Sequence, residues 1–510
     1  MKLKYSKGTI TTVKADSIIS FTFSDENLLK ETTNRLDKFL NGQLNALISA
    51  GDFKGKEKEL AVLYPTNSTM KAKRIILVGL GERDKITLEK LRRSCAVASK
   101  KAQSLKSETI AIEFPDYSLF KDKINETLDY FAQSIAEASV LALYKFDKYL
   151  TDEEKKNKKV KEVNIFSEKE SNEIKEGIRV ADIVCSAVYF ARDLANAPAN
   201  EIYPETLAKA AVNSGKKYGY KVKVLDKPEI EKLGMGGLLA VNSGSSKPPK
   251  FIIMEYNGNP RSNERYVIVG KGITFDSGGI SLKPAQGMDE MKMDMSGAAA
   301  VIATMEAVAR LKLPVNLVGL VPATENMPSG SAYKPGDILK TYIGKTIEVD
   351  NTDAEGRIIL ADALGYAQRY KPTAIIDLAT LTGACVVALG YFATGMFGND
   401  EKLMEEIKKA GEKTYERVWP LPTWDEYDQL IKSDVADVKN TGGRWAGAIT
   451  AAKFLQKFVG NYPWVHLDIA GTAMLDKEYD YQPKGGSGVG VRLLVEFFQE
   501  QIQEEIGFLL

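Results

Sequence analysis

The stretch that decides the fold is Tyr266 to Gly279, which reads YVIVGKGITFDSGG. Its first five residues form an apolar run that is typical of a strand in a mostly parallel sheet. The residues that follow bring Lys271 and Asp276 to a glycine-rich bend. Chemistry in such sheets gathers beyond the carboxyl ends of the strands, so this bend is the first candidate for a functional site.

The same kind of apolar run recurs along the second part of the chain and alternates with helical patterns. The predicted strands are Phe251–Tyr256, Tyr266–Gly270, Val315–Val321, Ala374–Leu378 and Trp464–Ile469. Helical patterns at Ser296–Leu311 and Ile358–Tyr370 lie between them. This order predicts βαβ units, and hence a mostly parallel central sheet flanked by helices.

The chain of 510 residues is longer than a single hydrophobic core usually serves. The segment Thr151–Lys161, TDEEKKNKKVK, has one apolar residue in eleven and is typical of an exposed connector. Before it, the strand pattern Arg74–Gly79 and the helical pattern Thr87–Leu105 indicate a small α/β domain. We therefore predict an N-terminal α/β domain over residues 1–165 and a larger α/β domain over residues 166–510.

Charge and cysteine content give little indication of a partner. Lys and Arg number 69 against 68 Asp and Glu, so no global field favours nucleic acid or a membrane surface. Three distant cysteines without a CxxC pair predict reduced, buried thiols, and the N-terminal residues show no secretory signal, which predicts a cytosolic protein. The uncharged run Leu378–Asn399 is long enough to span a bilayer. Its glycines and threonines favour a buried strand followed by a tight loop, with a membrane span as the alternative.

Further carboxylates stand at the ends of predicted elements. Asp294 precedes an alanine-rich helix, and Asp353 and Glu355 in the segment NTDAEGR precede another helix. Each alone could be an acid that favours a helix N-terminus. However, Asp353 and Glu355 are spaced i and i+2, which in an extended loop points both side chains the same way.

Carboxylates clustered in a dry cleft need compensating positive charge, which divalent metal ions would supply. The chain has a single histidine, His466, so histidine-rich zinc motifs are excluded and a metal site must be rich in oxygen ligands. His466 lies in an apolar strand pattern and is predicted to be a packed core residue.

Four sequence blocks together closely resemble the leucyl (cytosol) aminopeptidase family. They are VGKGITFDSGG at 269–279, SLKP at 281–284, NTDAEGR at 351–357 and DLATLTGA at 377–384. The resemblance extends over roughly residues 165 to 510. It implies a metallo-aminopeptidase that releases N-terminal, preferably leucine-like, residues from peptides, with the larger domain as the catalytic domain.

The resemblance also implies roles for particular residues. The implied metal ligands, for two Zn²⁺ or Mn²⁺ ions that activate a shared water, are Lys271, Asp276, Asp294, Asp353 and Glu355. The implied substrate-binding residues are Met291, Asn351, Thr380, Leu381, Gly383 and Met474. The implied catalytic residues are Lys283, which would polarise the peptide carbonyl, and Arg357, which would hold a bicarbonate ion as general base.

Several alternatives stay open at this point. Lys271 could be an ammonium group paired with Asp276, and Arg357 could form a structural salt bridge. A methionine such as Met291 is usually a core residue. The resemblance implies a homohexamer, a dimer of trimers. The alternative functions are a DNA-binding or scaffold protein on the same fold, or a two-metal phosphoesterase, for which no phosphate-binding glycine loop is visible.

Overall fold

A computed structural model describes residues 1–66, 69–152 and 159–509, and of residues 503–509 only the backbone of a helix. The central part of the predicted connector, residues 153–158, lies outside the described residues. The chain divides into two compact units: Met1–Ser186 together with Lys477–Pro483, and Ala187–Asp476 together with Lys484–Leu510.

The first unit is an α/β domain, as predicted. Its strands are β1 (Lys2–Lys7), β2 (Ser17–Thr22), β3 (Leu60–Leu63), β4 (Arg74–Gly79), β5 (Thr109–Glu113) and β6 (Glu162–Ser167). Its helices are α1 (Glu26–Leu40), α2 (Gln43–Ala50), α3 (Leu88–Ser104), α4 (Leu128–Leu141) and the first part of α5 (Asn172–Asn196). The strands form one sheet in the order β1-β6-β5-β2-β4-β3, in which only β3 is antiparallel to its neighbour.

The division between the units differs from the predicted boundary. Position 165/166 lies inside β6, whose backbone pairs with β1 on one side and β5 on the other. The contacts divide the chain later, after Ser186, within α5. A continuous helix carries no linker composition, so the sequence pattern offered no sign of a boundary there.

A late segment of the chain completes the first unit. Within Lys477–Pro483, the Tyr481 hydroxyl is 3.1 and 2.9 Å from the two carboxylate oxygens of Glu89 on α3. Tyr481 is buried, and Asp480 forms an ion pair with Arg93 on the same helix. The first unit is therefore built from two distant parts of the sequence.

The second unit contains the remaining elements. Its strands are β7 (Lys221–Leu225), β8 (Lys250–Asn257), β9 (Tyr266–Gly270), β10 (Gly272–Asp276), β11 (Asn316–Asn326), β12 (Ile338–Lys340), β13 (Thr346–Glu348), β14 (Ala374–Ala379), β15 (Thr394–Gly398), β16 (Val418–Pro420), β17 (Val438–Lys439), β18 (Trp464–Asp468), β19 (Met474–Leu475) and β20 (Gly485–Gly486). Its helices are α6 (Pro204–Tyr218), α7 (Lys227–Leu233), α8 (Gly236–Asn242), α9 (Ser296–Leu311), α10 (Glu355–Ala367), α11 (Gly383–Leu389), α12 (Glu401–Thr414), α13 (Gly447–Gln456), α14 (Ala470–Ala473) and α15 (Val491–Leu509).

Nine of these strands form the central sheet. Its order is β16-β15-β18-β14-β9-β11-β8-β7, and β10 pairs with the end of β11. The pairings from β18 through β14 and β9 to β11 are parallel, whereas β15 with β18, β8 with β11 and β7 with β8 are antiparallel. All five predicted strands are present, and the mostly parallel sheet is confirmed. Helices α9 and α10 both pack against β9.

The uncharged run Leu378–Asn399 is not a simple strand and loop. It contains the end of β14, then helix α11 and strand β15. Helix α11 begins there because the Thr382 hydroxyl accepts a hydrogen bond from the Cys385 N–H at 3.0 Å, which caps its first turn. Among the described residues, no helix combines the length and the apolar character needed to cross a membrane.

Helix α9 lies unusually close to the sheet at its first turn. A Cβ atom on Gly297 would lie 2.1 Å from the Leu378 carbonyl oxygen. The same contact region is closed by two backbone hydrogen bonds, Ala298 N–H to the Lys271 carbonyl and Lys271 N–H to the Leu378 carbonyl, each at 3.0 Å. Glycine at 297 therefore lets the start of α9 reach the ends of β9 and β14.

We expect Gly297→Ala to destabilise the protein, because a Cβ atom would push α9 away from the sheet. Overpacking of this kind typically costs about 1–3 kcal/mol. Gly330→Ala is the matched control, since no atom lies within 4 Å of the position of its Cβ. Thermal unfolding should show a lower midpoint for the Gly297 variant and a near-normal midpoint for the Gly330 variant. Equal midpoints would mean that α9 can shift without cost.

Candidate active site

The predicted site residues lie along one edge of the central sheet. Asp276 is the last residue of β10, Lys271 links β9 to β10, and Thr380 follows β14. Because β9, β11 and β14 run parallel, their carboxyl ends meet at the same edge. The expectation that polar residues beyond the strand ends come together is met for these three residues.

Three carboxylates form the centre of the site. The ligand oxygens of Asp276, Asp353 and Glu355 all lie within 4.8 Å of one another. Asp353 stands on a turn in which the Asn351 side-chain oxygen accepts the Asp353 N–H at 2.8 Å. Glu355 is the first residue of α10. The two acids thus meet through a turn and a helix start, and not through the extended loop that their spacing suggested.

One lysine, Lys271, connects this cluster to a fourth carboxylate, Asp294. The Lys271 ammonium lies 2.8 Å from Asp294 and 2.9 Å from Glu355, and it donates to the Thr380 carbonyl at 2.9 Å. The alternative pairing of Lys271 with Asp276 is therefore wrong. Asp276 is paired with the other lysine.

Lys283 occupies the position next to the two remaining acids. Its ammonium nitrogen lies 2.8 Å from Asp276 and 2.6 Å from Asp353. Four carboxylates therefore face two ammonium groups, and the cluster keeps a net negative charge.

Burial and mutual repulsion dominate the electrostatics of the cluster. Burial, followed by the charge of Asp276, raises the pKa of Glu355 above its usual range. Burial also raises the pKa of Asp294 and Asp353, with Asp276 adding to both increases. For Lys271, burial alone would lower the pKa, but Asp294 and Glu355 outweigh it and raise the pKa.

One oxygen of Glu355 is left without compensation. Its Oε2 atom is buried and has no hydrogen-bond partner in the described part of the chain. A buried carboxylate oxygen of this kind is costly unless a positive group binds it. Carboxylate oxygens with one amine nitrogen are ligands that suit Zn²⁺ or Mn²⁺. The residues present therefore fit a divalent metal site.

Arg357, on the first turn of α10, is buried and carries a charged group without an acidic partner. Its Nη1 donates to the Asn440 carbonyl at 2.7 Å, whereas its Nε has no partner within the described residues. Burial lowers the pKa of Arg357 to about 10, which leaves it charged at neutral pH. The charges of Glu355 and Asp468 act on Arg357 from beyond ion-pair distance, so the described residues give no support to the alternative of a structural salt bridge.

Asn326 and Asp468 also support the site, although the sequence analysis did not select them. Asn326 is fully buried, and its side-chain amide donates to Asp276 at 2.9 Å and to the Thr352 carbonyl at 3.0 Å. Asp468 accepts the Leu381 N–H at 3.2 Å and the Thr382 hydroxyl at 2.7 Å. Both are the last residues of strands, so the strand-end rule would have found them with better strand limits.

The predicted substrate-binding residues stand on separate elements. Thr380 is joined directly to the cluster, because its hydroxyl donates to Asp294 at 2.7 Å. Leu381 follows it in the same loop. The others are Asn351 on the turn before α10, Gly383 at the start of α11, Met291 in the short 3-10 helix Met288–Met293, and Met474 at the start of β19. Their contact with substrate stays a prediction.

His466 belongs to the core, as predicted. Its Nδ1 lies 2.6 Å from the Asp377 carboxylate, and the Trp464 indole N–H donates to the other oxygen of Asp377 at 2.7 Å. All three side chains are buried within β14 and β18. Burial alone would lower the pKa of His466, but the charge of Asp377 outweighs it and raises the pKa.

Comparisons with known proteins give a consistent relationship over both units. Residues 189–495 match the model of the cytosol aminopeptidase family catalytic domain, and residues 18–153 match the N-terminal domain of the same family. A probable cytosol aminopeptidase of Chlorobium phaeobacteroides is 47% identical over 514 residues, covering 98% of this chain and 100% of the relative. One of Chlorobaculum tepidum is 48% identical over 499 residues, covering 96% and 97%.

Solved structures agree with this relationship. A mutant of tomato leucine aminopeptidase superposes with a TM-score of 0.85 at 34% identity, covering 98% of this chain and 96% of that one. The bottromycin maturation enzyme BotP in complex with Mn superposes with a TM-score of 0.84 at 31% identity, covering 96% and 99%. The chain therefore belongs to the cytosol aminopeptidase family and is a metallo-aminopeptidase.

Proposed function

We propose that this enzyme hydrolyses the N-terminal peptide bond of peptides, with a preference for leucine-like residues, using two divalent metal ions and a bicarbonate ion. The observation that carries the proposal is the cluster of Asp276, Asp353 and Glu355 oxygens within 4.8 Å of one another. Two buried atoms have no hydrogen-bond partner in the described residues: Oε2 of Glu355 and Nε of Arg357. The first supports the binding of metal ions, and the second supports the binding of bicarbonate.

The residues divide between two cations as follows. Asp276 and Glu355 would be shared by both ions, Asp353 would bind one, and Asp294 with Lys271 would bind the other. When bound, such a pair of cations polarises the scissile carbonyl and lowers the pKa of water. The carboxylates around Lys271 favour its ammonium form, whereas nearby cations favour the neutral amine, which can act as a ligand.

Lys283 and Asp294 would act directly on the peptide. Burial lowers the pKa of Lys283, but Asp276 and Glu355 outweigh this effect and keep it charged. A charged donor beside the scissile bond would hold the carbonyl oxygen and stabilise the negative charge that develops there. Asp294 would accept a hydrogen bond from the free α-amino group, which restricts cleavage to the N-terminal residue.

Arg357 would hold the bicarbonate. Its planar guanidinium matches the geometry of a carbonate group, and it lies in the first turn of α10, whose N-terminus favours anions. The bound anion would supply a general base, a role for which the carboxylates of the cluster are unsuited because they are proposed metal ligands.

The side-chain pocket for the N-terminal residue would be mainly apolar. Met291 and Met474 would supply flexible thioether side chains that adapt to branched aliphatic groups. Gly383 would leave room, since no atom lies within 4 Å of the position of its Cβ. A leucine-sized side chain is the occupant that this combination favours.

We expect dialysis against a chelator to remove metal and activity together, and Zn²⁺ or Mn²⁺ to restore both. The assay is release of p-nitroaniline from leucine p-nitroanilide, with metal content measured by elemental analysis. The N-acetylated substrate should be inert because its α-amine is blocked. Cleavage of the acetylated substrate at a comparable rate would contradict the proposed role of the free amine.

Matched variants test the ligand assignment. Glu355→Ala should lower metal content and abolish turnover, because the carboxylate is proposed to be shared by both ions. Asp289→Ala removes an exposed acid from the short helix Met288–Met293 and should keep normal metal content. If the Glu355 variant kept full metal content and rate, the assignment would be wrong.

Arg357→Ala should slow the reaction by about 10²- to 10⁴-fold, the usual value of general-base assistance. Both metals should remain bound, since Arg357 is not a proposed ligand. Wild-type enzyme freed of dissolved carbonate should slow and recover on addition of bicarbonate, and the variant should respond much less. A variant with a normal bicarbonate response would show that the base is held elsewhere.

We also propose a cytosolic homohexamer, a dimer of trimers. The names of the relatives support the location, and large exposed apolar side chains on the second unit support association. These side chains are Val387, Phe392, Trp419, Trp424 and Trp445. Light scattering should give six times the chain mass, and the mass of a single chain would contradict the proposal.

A further inference from the structure

Asn440 is a fully buried asparagine just after β17, outside every segment that the sequence analysis selected. Its side-chain oxygen accepts the N–H groups of Asp350 at 2.7 Å and Asn351 at 3.3 Å. Its side-chain amide donates to the carbonyls of Asn351 at 2.6 Å and Ala354 at 3.5 Å. One side chain therefore spans the turn on which Asp353 stands.

The backbone of Asn440 makes two further connections. Its N–H donates to the Glu348 carbonyl at 3.0 Å, which continues the pairing of β17 with β13. Its carbonyl accepts the Arg357 Nη1 at 2.7 Å. The same residue is thus bonded to the turn that carries Asp353 and to the guanidinium group of Arg357.

This arrangement limits how Arg357 can move relative to the turn. Asn351 is exposed, so without Asn440 the polar backbone groups of the turn could bond to water in several conformations. A buried amide whose donors and acceptor are all used favours one conformation. The guanidinium is restrained by the same residue through its Nη1, while its Nε has no partner in the described parts of the chain.

We propose that Asn440 is a positioning residue that keeps the Arg357 guanidinium in register with the turn of residues 350–354. The inference rests on the proposed role of Arg357 in holding an anion. Asn440 would contact neither substrate nor metal. It would act through Arg357, by presenting the unpartnered edge of the guanidinium in one orientation.

The chain offers a matched control at the opposite end of the sheet. Asn316 is also buried, and it begins β11, whose other end carries Asn326. Its side-chain oxygen accepts the Asn259 N–H at 3.1 Å, and its amide donates to the carbonyls of Asn259 at 2.8 Å and Glu264 at 3.0 Å. Asn316 therefore organises a loop by the same kind of bonds, away from the site.

We expect Asn440→Ala to lower kcat by about 10²-fold, the typical cost of a catalytic group displaced by about 1 Å. KM should change by less than about threefold, and both metals should stay bound. Asn440→Ala and Asn316→Ala should lower the unfolding midpoint to similar extents. Asn316→Ala should leave kcat unchanged. If Asn440→Ala fails to fold, Asn440→Asp keeps the oxygen that accepts the N–H groups of Asp350 and Asn351 but loses the amide that donates to the carbonyls of Asn351 and Ala354. This variant should show the same loss of kcat.

A double-mutant cycle shows whether Asn440 acts through Arg357. In the Arg357→Ala background, Asn440→Ala should lower kcat by less than about threefold. Added bicarbonate should not fully restore the rate of the Arg357→Ala variant or of the double variant. Additive losses, or a normal kcat for both Asn440 variants, would overturn the inference. A normal rate and bicarbonate response for Arg357→Ala alone would instead overturn the proposed role of Arg357, and with it this inference.

Discussion

The repulsion among four buried carboxylates is the constraint on which the site depends. They are held by different elements: Asp276 by the end of β10, Asp294 by the approach to α9, Asp353 by a turn and Glu355 by the start of α10. The second unit therefore holds net negative charge at the edge of its sheet, and only added positive charge can neutralise it.

Two of these carboxylates are held in the same way. One oxygen accepts hydrogen bonds from neighbouring donors, and the other faces a lysine of the cluster. One oxygen of Asp276 accepts from the Asn326 amide and the Gly278 N–H, each at 2.9 Å, while the other faces Lys283. Asp294 follows the same plan, with Thr380 on one oxygen and Lys271 on the other. Hydrogen bonds on the outer oxygens therefore fix the direction of these two carboxylates.

The carboxyl edge of the sheet was predictable because buried parallel strands have a simple signature. Runs such as Tyr266–Gly270 were found at their observed limits, and the polar residues after them are the ones that meet. Strand β11 continues to Asn326, five residues beyond its predicted end, because the polar Thr324 and Asn326 are buried there by tertiary contacts. A strand predicted from a run of apolar residues ends before such polar residues, even when they are buried.

Other features depend on contacts that a linear pattern does not contain. The helical start at Glu355 depends on the turn around Asn351, and the position of that turn depends on Asn440, almost ninety residues later. The division of the chain within α5 is likewise set by packing, since the helix itself is continuous. Family resemblance supplied the proposed ligands, whereas only the three-dimensional structure shows which residues hold them in place.

The segment Lys477–Pro483 has a consequence for how the protein is made. A ribosome completes residues 1–186 long before it reaches Tyr481, so α3 emerges with Glu89 lacking the hydroxyl that it binds in the finished chain. The N-terminal domain usually folds first during synthesis. Here its last packing contacts become available only after residues 187–476 have been made, which ties completion of the first unit to synthesis of the second.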